Sequence, residues 1–160
     1  MRMRGVILAM AVMAAAVAIP PTSAMADKAE RAQALVDEAI AHYKEVGKQK
    51  AIADFNDKSS RFVTDAFYVI VANSDEGNGT FKAHAINPAL IDNPKLWDLK
   101  DVNGKYIIRA MVRAGKANPD GSWVEYVWTH PETKKLAQKR TWVEKHDDLL
   151  FMVGFYEDDG

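Results

Sequence analysis

The chain has 160 residues, no cysteine, and 21 Lys and Arg residues against 22 Asp and Glu residues, which gives a net charge of −1. Its basic residues are scattered rather than clustered, so the sequence lacks the electrostatic footprint of a nucleic-acid-binding protein. The absence of cysteine excludes disulfides and thiol chemistry, and a single packed core must supply the stability.

The first predicted element is a secretory signal peptide over residues 1–26. Arg2 and Arg4 precede an apolar run from Val6 to Ile19, and the small-residue ending Ala24-Met25-Ala26 follows it. Cleavage would leave a periplasmic or secreted chain beginning at Asp27, with 19 basic and 22 acidic residues. The apolar run is shorter than the roughly 20 residues that a membrane span needs, so we expect no membrane span once the signal is removed. An uncleaved N-terminal anchor is the alternative.

Residues 27–160 are predicted to form one domain, because no linker or repeat interrupts them. An amphipathic helix is expected from Ala29 to Val46, where apolar residues recur every three or four positions, and Gly47 is expected to end it. The next stretch, "KQKAIADFN" (residues 48–56), predicts a second, short helix.

Strand patterns dominate the rest of the chain. The segments "AFYVIVAN" (66–73) and "FKAHA" (81–85) flank the turn-rich "NSDEGNGT" and predict a hairpin. A Pro-punctuated loop, residues 86–105, then leads to a helix in "YIIRAMVRAGK" (106–116). Three further strands are expected in "WVEYVWT" (123–129), "AQKRTWVEK" (137–145) and "LLFMVGFYE" (149–157). These elements predict an α+β fold with a five-stranded antiparallel sheet and a long N-terminal helix.

Strand periodicity sorts the aromatic residues near the C-terminus onto two faces. Alternate residues of a strand point to opposite sides of a sheet, so Tyr126 and Trp128 are predicted to share one face with Lys139. Trp123 and Trp142 are predicted to lie on the other face.

The order of these motifs resembles the single Cache domains, which are extracytoplasmic sensor modules related to PAS domains, and in particular the second single-Cache family. The resemblance extends from about Ala34 to Tyr156. Two departures are His84-Ala85, where the family commonly has His-Pro, and Trp142, where it often has Tyr. The segments that carry the match are Phe55-Asn56, "FYVIVAN" with "DEGNG", "AHAINPALID", "LWDLKDVNGK", "GSWVEYVWTHPETKK", "KRTWVEK" and "GFY".

The resemblance implies a PAS/Cache-like fold, with a ligand pocket between the sheet and the segment that joins its second and third strands. Ligands of this class are small, often mono- or dicarboxylates. With the chain ending at Gly160, we expect a solo sensor module that binds a small organic acid and signals through a membrane-bound sensor kinase or chemoreceptor. The alternative is a ligand-free interaction module that docks on a membrane sensor, a transporter or a redox complex.

Seven residues are candidates for the ligand site, each with a structural alternative. Lys139 matches a recurrent family lysine and is the leading cation, although strand lysines usually face solvent. Arg109 either reaches inward to a carboxylate or belongs to a solvated helix face. For the others the alternative is a core, loop-anchoring or purely structural role. The full set is Tyr68, His84, Trp97, Arg109, Tyr126, Trp128 and Lys139.

Catalytic and cofactor motifs are not found in the sequence. The turns "DEGNG" and "DVNG" lack the ligand spacing of an EF-hand loop, and the four histidines lack metal-binding spacing. There is no nucleophile elbow, phosphate-binding Gly loop or HExxH pattern. We therefore expect neither an enzyme nor a bound metal or cofactor.

Overall fold

The computed structural model describes residues 21–64 and 67–157, which form three α-helices and five β-strands. The helices are α1 (Pro21–Val46), α2 (Lys48–Asn56) and α3 (Ile107–Ala117). The strands are β1 (Val69–Asn73), β2 (Phe81–His84), β3 (Ser122–Thr129), β4 (Leu136–His146) and β5 (Leu149–Tyr156).

All five strands join one antiparallel sheet in the order β2-β1-β5-β4-β3. The central position of β5 explains its nearly unbroken apolar sequence, because a central strand buries side chains on both faces. The predicted α+β architecture, with its five-stranded antiparallel sheet and long N-terminal helix, is confirmed.

A hydrophobic core lies on each face of the sheet. On one face, α1 and α2 pack on Val69 and Phe151, and Trp123 and Trp142 adjoin this core. On the other face, α3 packs on a core that contains Ile70, Met152 and Tyr126, with Trp128 beside it. The predicted separation of Trp123 and Trp142 from Tyr126 and Trp128 is therefore confirmed.

Helix α1 begins earlier than the predicted start at Ala29. Pro21, the first residue that the structure describes, is already helical. Gly47 ends the helix with a φ of 81°, as expected. Most of the predicted signal peptide, residues 1–20, lies outside the described residues.

The connection from β2 to β3, residues 85–121, covers the face of the sheet opposite α1. It contains two short 3-10 helices, Pro88–Leu90 and Pro94–Asp98, followed by α3. Asp101 anchors the middle of this connection. The Asp101 carboxylate accepts hydrogen bonds from the backbone N–H groups of Asn103, Lys105 and Val127 at 2.9 to 3.2 Å. Val127 is part of β3, so Asp101 ties this connection to the sheet.

Across residues 21–64 and 67–157, no helix combines the length and the apolar character needed to cross a membrane.

Candidate functional site

Lys139 lies at the centre of the sheet face that α3 covers. On β4 it pairs with Tyr126 of β3 and with Tyr156 of β5. Beside it, β5 carries Gly154, where a Cβ atom would lie 2.8 Å from the Cε of Lys139 and still closer to the Oγ1 of Thr141. The missing side chain at position 154 therefore gives Lys139 room to lie across the sheet.

The ammonium group of Lys139 is buried among tyrosines. The residue is 3% exposed, and its Nζ donates to the hydroxyl of Tyr68 at 3.2 Å. Nζ also lies 5.3 Å and 5.1 Å from the ring centroids of Tyr68 and Tyr156. Burial acts to lower the pKa of Lys139, but the nearby tyrosines, Tyr126 first, outweigh it and raise the pKa above its ordinary value. The hydrogen bond to Tyr68 and the two ring contacts also favour the charged form of the ammonium group.

This cation lacks a protein counter-ion in the described part of the chain. None of the carboxylates of residues 21–64 and 67–157 forms an ion pair with Lys139. Buried charges in proteins are normally paired, because an unpaired charge loses the solvation that water provides. The position is accordingly suited to an anion.

His84 supplies a neutral hydrogen-bond donor beside the cation. The residue is 6% exposed, and burial together with the charge of Lys139 lowers its pKa to about 4. Its Nδ1 accepts from the backbone N–H of Asn87 at 3.0 Å, so the proton of the neutral ring lies on Nε2. Among the described residues none forms a hydrogen bond with this Nε2.

Asn56 holds His84 in place. The backbone N–H of His84 donates to the Oδ1 of Asn56 at 3.0 Å, while the Nδ2 of Asn56 donates to the carbonyls of Ile52 and Lys82. Because Asn56 is the last residue of α2, these bonds tie the end of that helix to β2. Asn56 thus fixes the backbone at His84, while the Asn87 N–H orients the imidazole ring.

Two tyrosine hydroxyl groups complete the polar part of the site. The hydroxyl of Tyr126 lies 3.1 Å from the Oγ1 of Thr141, and that of Tyr68 accepts from Lys139. A hydroxyl that accepts one hydrogen bond still has its own proton to donate. Nε2 of His84 and the Tyr68 hydroxyl are thus donors beside the cation, and the Tyr126 hydroxyl joins them where Thr141 donates in their shared hydrogen bond.

A cavity of about 40 Å³ lies between the sheet and the β2–β3 connection, where the resemblance places the pocket. Five of the seven predicted residues line it: Tyr68, His84, Tyr126, Trp128 and Lys139. Its other walls are apolar side chains that the sequence reasoning missed. These are Ile70, Phe81, Leu90, Leu96, Leu99 and Ile107.

Three of the missed residues, Leu90, Leu96 and Leu99, lie in the Pro-punctuated connection, and their apolar character was the available sequence signal. Leu96 is 4% exposed, although loops are usually polar. Apolar residues in such a segment need burial, and the sheet face below them is the surface that can provide it. The spacing of these three leucines fits neither a helix nor a strand, so periodicity did not reveal them.

Arg109 and Trp97 do not line the cavity, and their side chains make contacts outside it. Arg109 donates from Nε to the backbone carbonyl of Trp97 at 3.0 Å, pairs with Asp98 and lies over the ring of Tyr106 at 3.9 Å. The ring of Trp97 packs over Gly79 in the β1–β2 turn, where a Cβ atom would lie 3.1 Å from it. Both residues therefore fix the second 3-10 helix against α3 and the hairpin.

Fold and cavity together define a sensor-type binding domain, in which a sheet and its covering segment enclose one buried cation. Residues 11–159 match the family "Single Cache domain 2", and the chain belongs to this family. Cache domains are extracytoplasmic sensor domains. No curated protein sequence matches the chain.

Solved structures support the same fold. A methyl-accepting chemotaxis protein from Vibrio parahaemolyticus RIMD 2210633 has a TM-score of 0.70 and 23% identity over 87% of this chain and 95% of its own. A Cache chemosensory domain described for carboxylic acid recognition has a TM-score of 0.68 and 20% identity, with coverages of 86% and 98%. A periplasmic sensor domain of a chemotaxis protein has a TM-score of 0.62 and 21% identity, with coverages of 85% and 94%.

Proposed function

We propose that this protein is a periplasmic or secreted sensor module that binds a short monocarboxylate at Lys139. The observation that carries the proposal is a buried ammonium group without a carboxylate partner among the described residues. A ligand carboxylate would supply the missing negative charge. Charge-assisted hydrogen bonds of this kind are about twice as strong as neutral ones.

The ligand would contact two kinds of wall in the cavity, polar side chains at its carboxylate and apolar side chains at its alkyl part. The carboxylate would accept from Lys139 and from Nε2 of His84, and the Tyr126 hydroxyl offers a further donor. Leu96 and Ile107, from the covering segment, would contact the alkyl part. The similarity to a Cache chemosensory domain described for carboxylic acid recognition supports this ligand class.

Cavity size and charge both favour one carboxylate over two. A water molecule needs roughly 10–15 Å³ on a comparable measure, so 40 Å³ suits about three or four non-hydrogen atoms. Acetate has this size. A dicarboxylate would in addition bury a second negative charge next to a site with one cation, which is costly.

The module would act through a membrane partner, either a sensor kinase or a chemoreceptor. The cavity touches the sheet on one side and the β2–β3 connection on the other, so an occupant would alter the contact between these two layers. A membrane partner that contacts the β2–β3 connection would then respond to whether the cavity holds a ligand. The chemotaxis proteins among the structural relatives make such a signalling role consistent with the fold.

Export would follow from the proposed signal peptide, residues 1–26. Cleavage after Ala26 would remove the start of α1, including Met25, which packs against the core, and would leave Asp27 to Val46 with the fully buried residues that pack on the sheet. Intact-mass measurement on protein recovered from its native envelope tests this part. A chain that begins at Asp27 supports it, and a full-length chain in the cytoplasm contradicts it.

Calorimetric titration of the wild-type protein tests the ligand class. Acetate, propionate, lactate, pyruvate and succinate form the series, because they vary length and charge around one carboxylate. We expect the shortest monocarboxylates to bind and succinate to bind least. If none of the five binds, the proposal fails and the ligand-free docking module becomes the better interpretation.

A further inference from the structure

A second and larger pocket lies at the end of the sheet where β5 ends. Its volume is about 280 Å³, and we call it the outer pocket. The residues that matter for its chemistry are Lys28, Phe67, His130, Pro131, Phe155 and Tyr156. It shares only Tyr68 with the cavity at Lys139. An occupant of the outer pocket would therefore contact mostly different side chains, and the two pockets adjoin at Tyr68 and at Tyr156, whose ring Lys139 contacts.

His130 is a buried polar residue of the outer pocket with an unused donor. It is 8% exposed, and its Nδ1 accepts from the backbone N–H groups of Glu132 and Thr133 at 3.2 Å and 3.4 Å. In the neutral ring the proton consequently lies on Nε2. Within the described residues nothing accepts from this Nε2, and His130 lines the outer pocket.

Aromatic side chains make up much of the remaining wall. The His130 ring lies 4.6 Å from that of Tyr156, and the Phe67 ring lies 6.4 Å from that of Phe155. Flat apolar molecules pack well against aromatic faces, because stacked and edge-on ring pairs are favourable. The wall thus favours an occupant with an aromatic body.

Among the described residues that line the outer pocket, one Lys and one Glu are charged. They are Lys28, whose Nζ donates to the backbone carbonyl of Tyr156 at 3.2 Å, and Glu132 on the β3–β4 loop. This lining is compatible with an uncharged occupant, in contrast to the ligand that we propose for Lys139. Its requirement is a hydrogen-bond acceptor for His130.

We infer that the outer pocket is a second binding site, which takes an aromatic molecule carrying one hydrogen-bond acceptor such as an amide or carboxyl oxygen. The acceptor bonds to Nε2–H of His130, and the ring packs between Tyr156, Phe67 and Pro131. Such a molecule is too large for the 40 Å³ cavity at Lys139. The inference rests on the outer pocket alone and does not depend on the function proposed for Lys139.

Phenylacetamide is a suitable probe, since it is aromatic, uncharged and carries an amide oxygen. Its binding is measured by calorimetry and by NMR of the histidine side chains, using the full chain as expressed. The key variant is His130→Asn. The shorter side chain places an oxygen where it can still accept from the two turn N–H groups, as Asn does in Asx turns, but it lacks the Nε2–H donor.

We expect phenylacetamide to shift the His130 resonances of the wild type and to bind His130→Asn roughly three- to tenfold more weakly, as the loss of one hydrogen bond predicts. Leu90→Phe, which narrows the cavity at Lys139 and lies outside the outer pocket, should bind it as the wild type does. The inference is overturned if phenylacetamide does not bind, if His130→Asn binds it equally well, or if Leu90→Phe abolishes binding. The last result would place the probe in the cavity at Lys139 instead.

Discussion

Replacement of Lys139 by methionine separates ligand binding from folding. Methionine has a similar length and an unbranched chain, so it fills the space across Gly154 without overpacking. The substitution also leaves no buried carboxylate without its partner, because the described residues contain no carboxylate paired with Lys139. We therefore expect the free energy of unfolding to change by less than about 1 kcal/mol.

Binding should respond much more strongly than folding. A hydrogen bond to a charged group contributes about 1.5–3 kcal/mol, which corresponds to a loss of roughly tenfold to a hundredfold in affinity. The upper part of this range applies when the charge is desolvated, and Lys139 is only 3% exposed. Calorimetric titration with acetate measures the affinity, and urea denaturation measures the stability.

Lys145 offers a matched control on the same strand and the same face. Its Nζ donates to the backbone carbonyl of Asp147 at 2.6 Å, and the residue does not line the cavity. Lys145→Met removes one positive charge from β4 as Lys139→Met does, but it should leave acetate affinity unchanged. The reasoning is refuted if both variants weaken binding equally, or if Lys139→Met binds acetate as well as the wild type.

Three further predictions concern residues around the site. Gly154→Ala forces Lys139 to move and should lower the free energy of unfolding by about 1–3 kcal/mol in urea denaturation; an unchanged stability would show that the lysine does not need this space. The pKa of His84 is about 4 in the folded protein against an ordinary 6.5, so the folded state binds a proton here less readily than the unfolded state does. The free energy of unfolding is therefore at its full value above pH 6.5 and decreases as the pH falls toward 4. Stability should decrease by up to about 3 kcal/mol over this range, and His84→Gln should remove that part of the pH dependence; identical pH profiles would contradict the assignment. Asp101→Ala should lower the urea midpoint more than Asp101→Asn, because the amide retains one acceptor oxygen for the backbone N–H groups; the reverse order would count against the hydrogen-bonding role.

Much of the fold could be predicted because the helices and strands carry regular patterns. The short helix α2 was predicted with the bounds that the structure shows, Lys48–Asn56. Two-residue periodicity also placed Trp123 and Trp142 on the face opposite Tyr126. Such patterns are reliable where a strand or helix is long and one side is buried.

The candidate site could be predicted only in part, since it depends on contacts between segments distant in the chain. The resemblance and the strand faces identified Lys139 and its neighbours on the sheet. The sequence did not indicate that the guanidinium of Arg109 would donate to the backbone carbonyl of Trp97 and form an ion pair with Asp98. Likewise, the walls formed by the β2–β3 connection follow from how an irregular segment folds onto the sheet, and no period in its sequence specifies that path.

The central claim is that Lys139 holds the carboxylate of a short acid inside the cavity. A crystal structure of the protein grown with the tightest-binding acid of the titration series tests it most directly. The account predicts a carboxylate oxygen at about 3 Å from Nζ of Lys139, with the other oxygen facing Nε2 of His84. An acid bound elsewhere, with Nζ still bonded only to the Tyr68 hydroxyl, would contradict it.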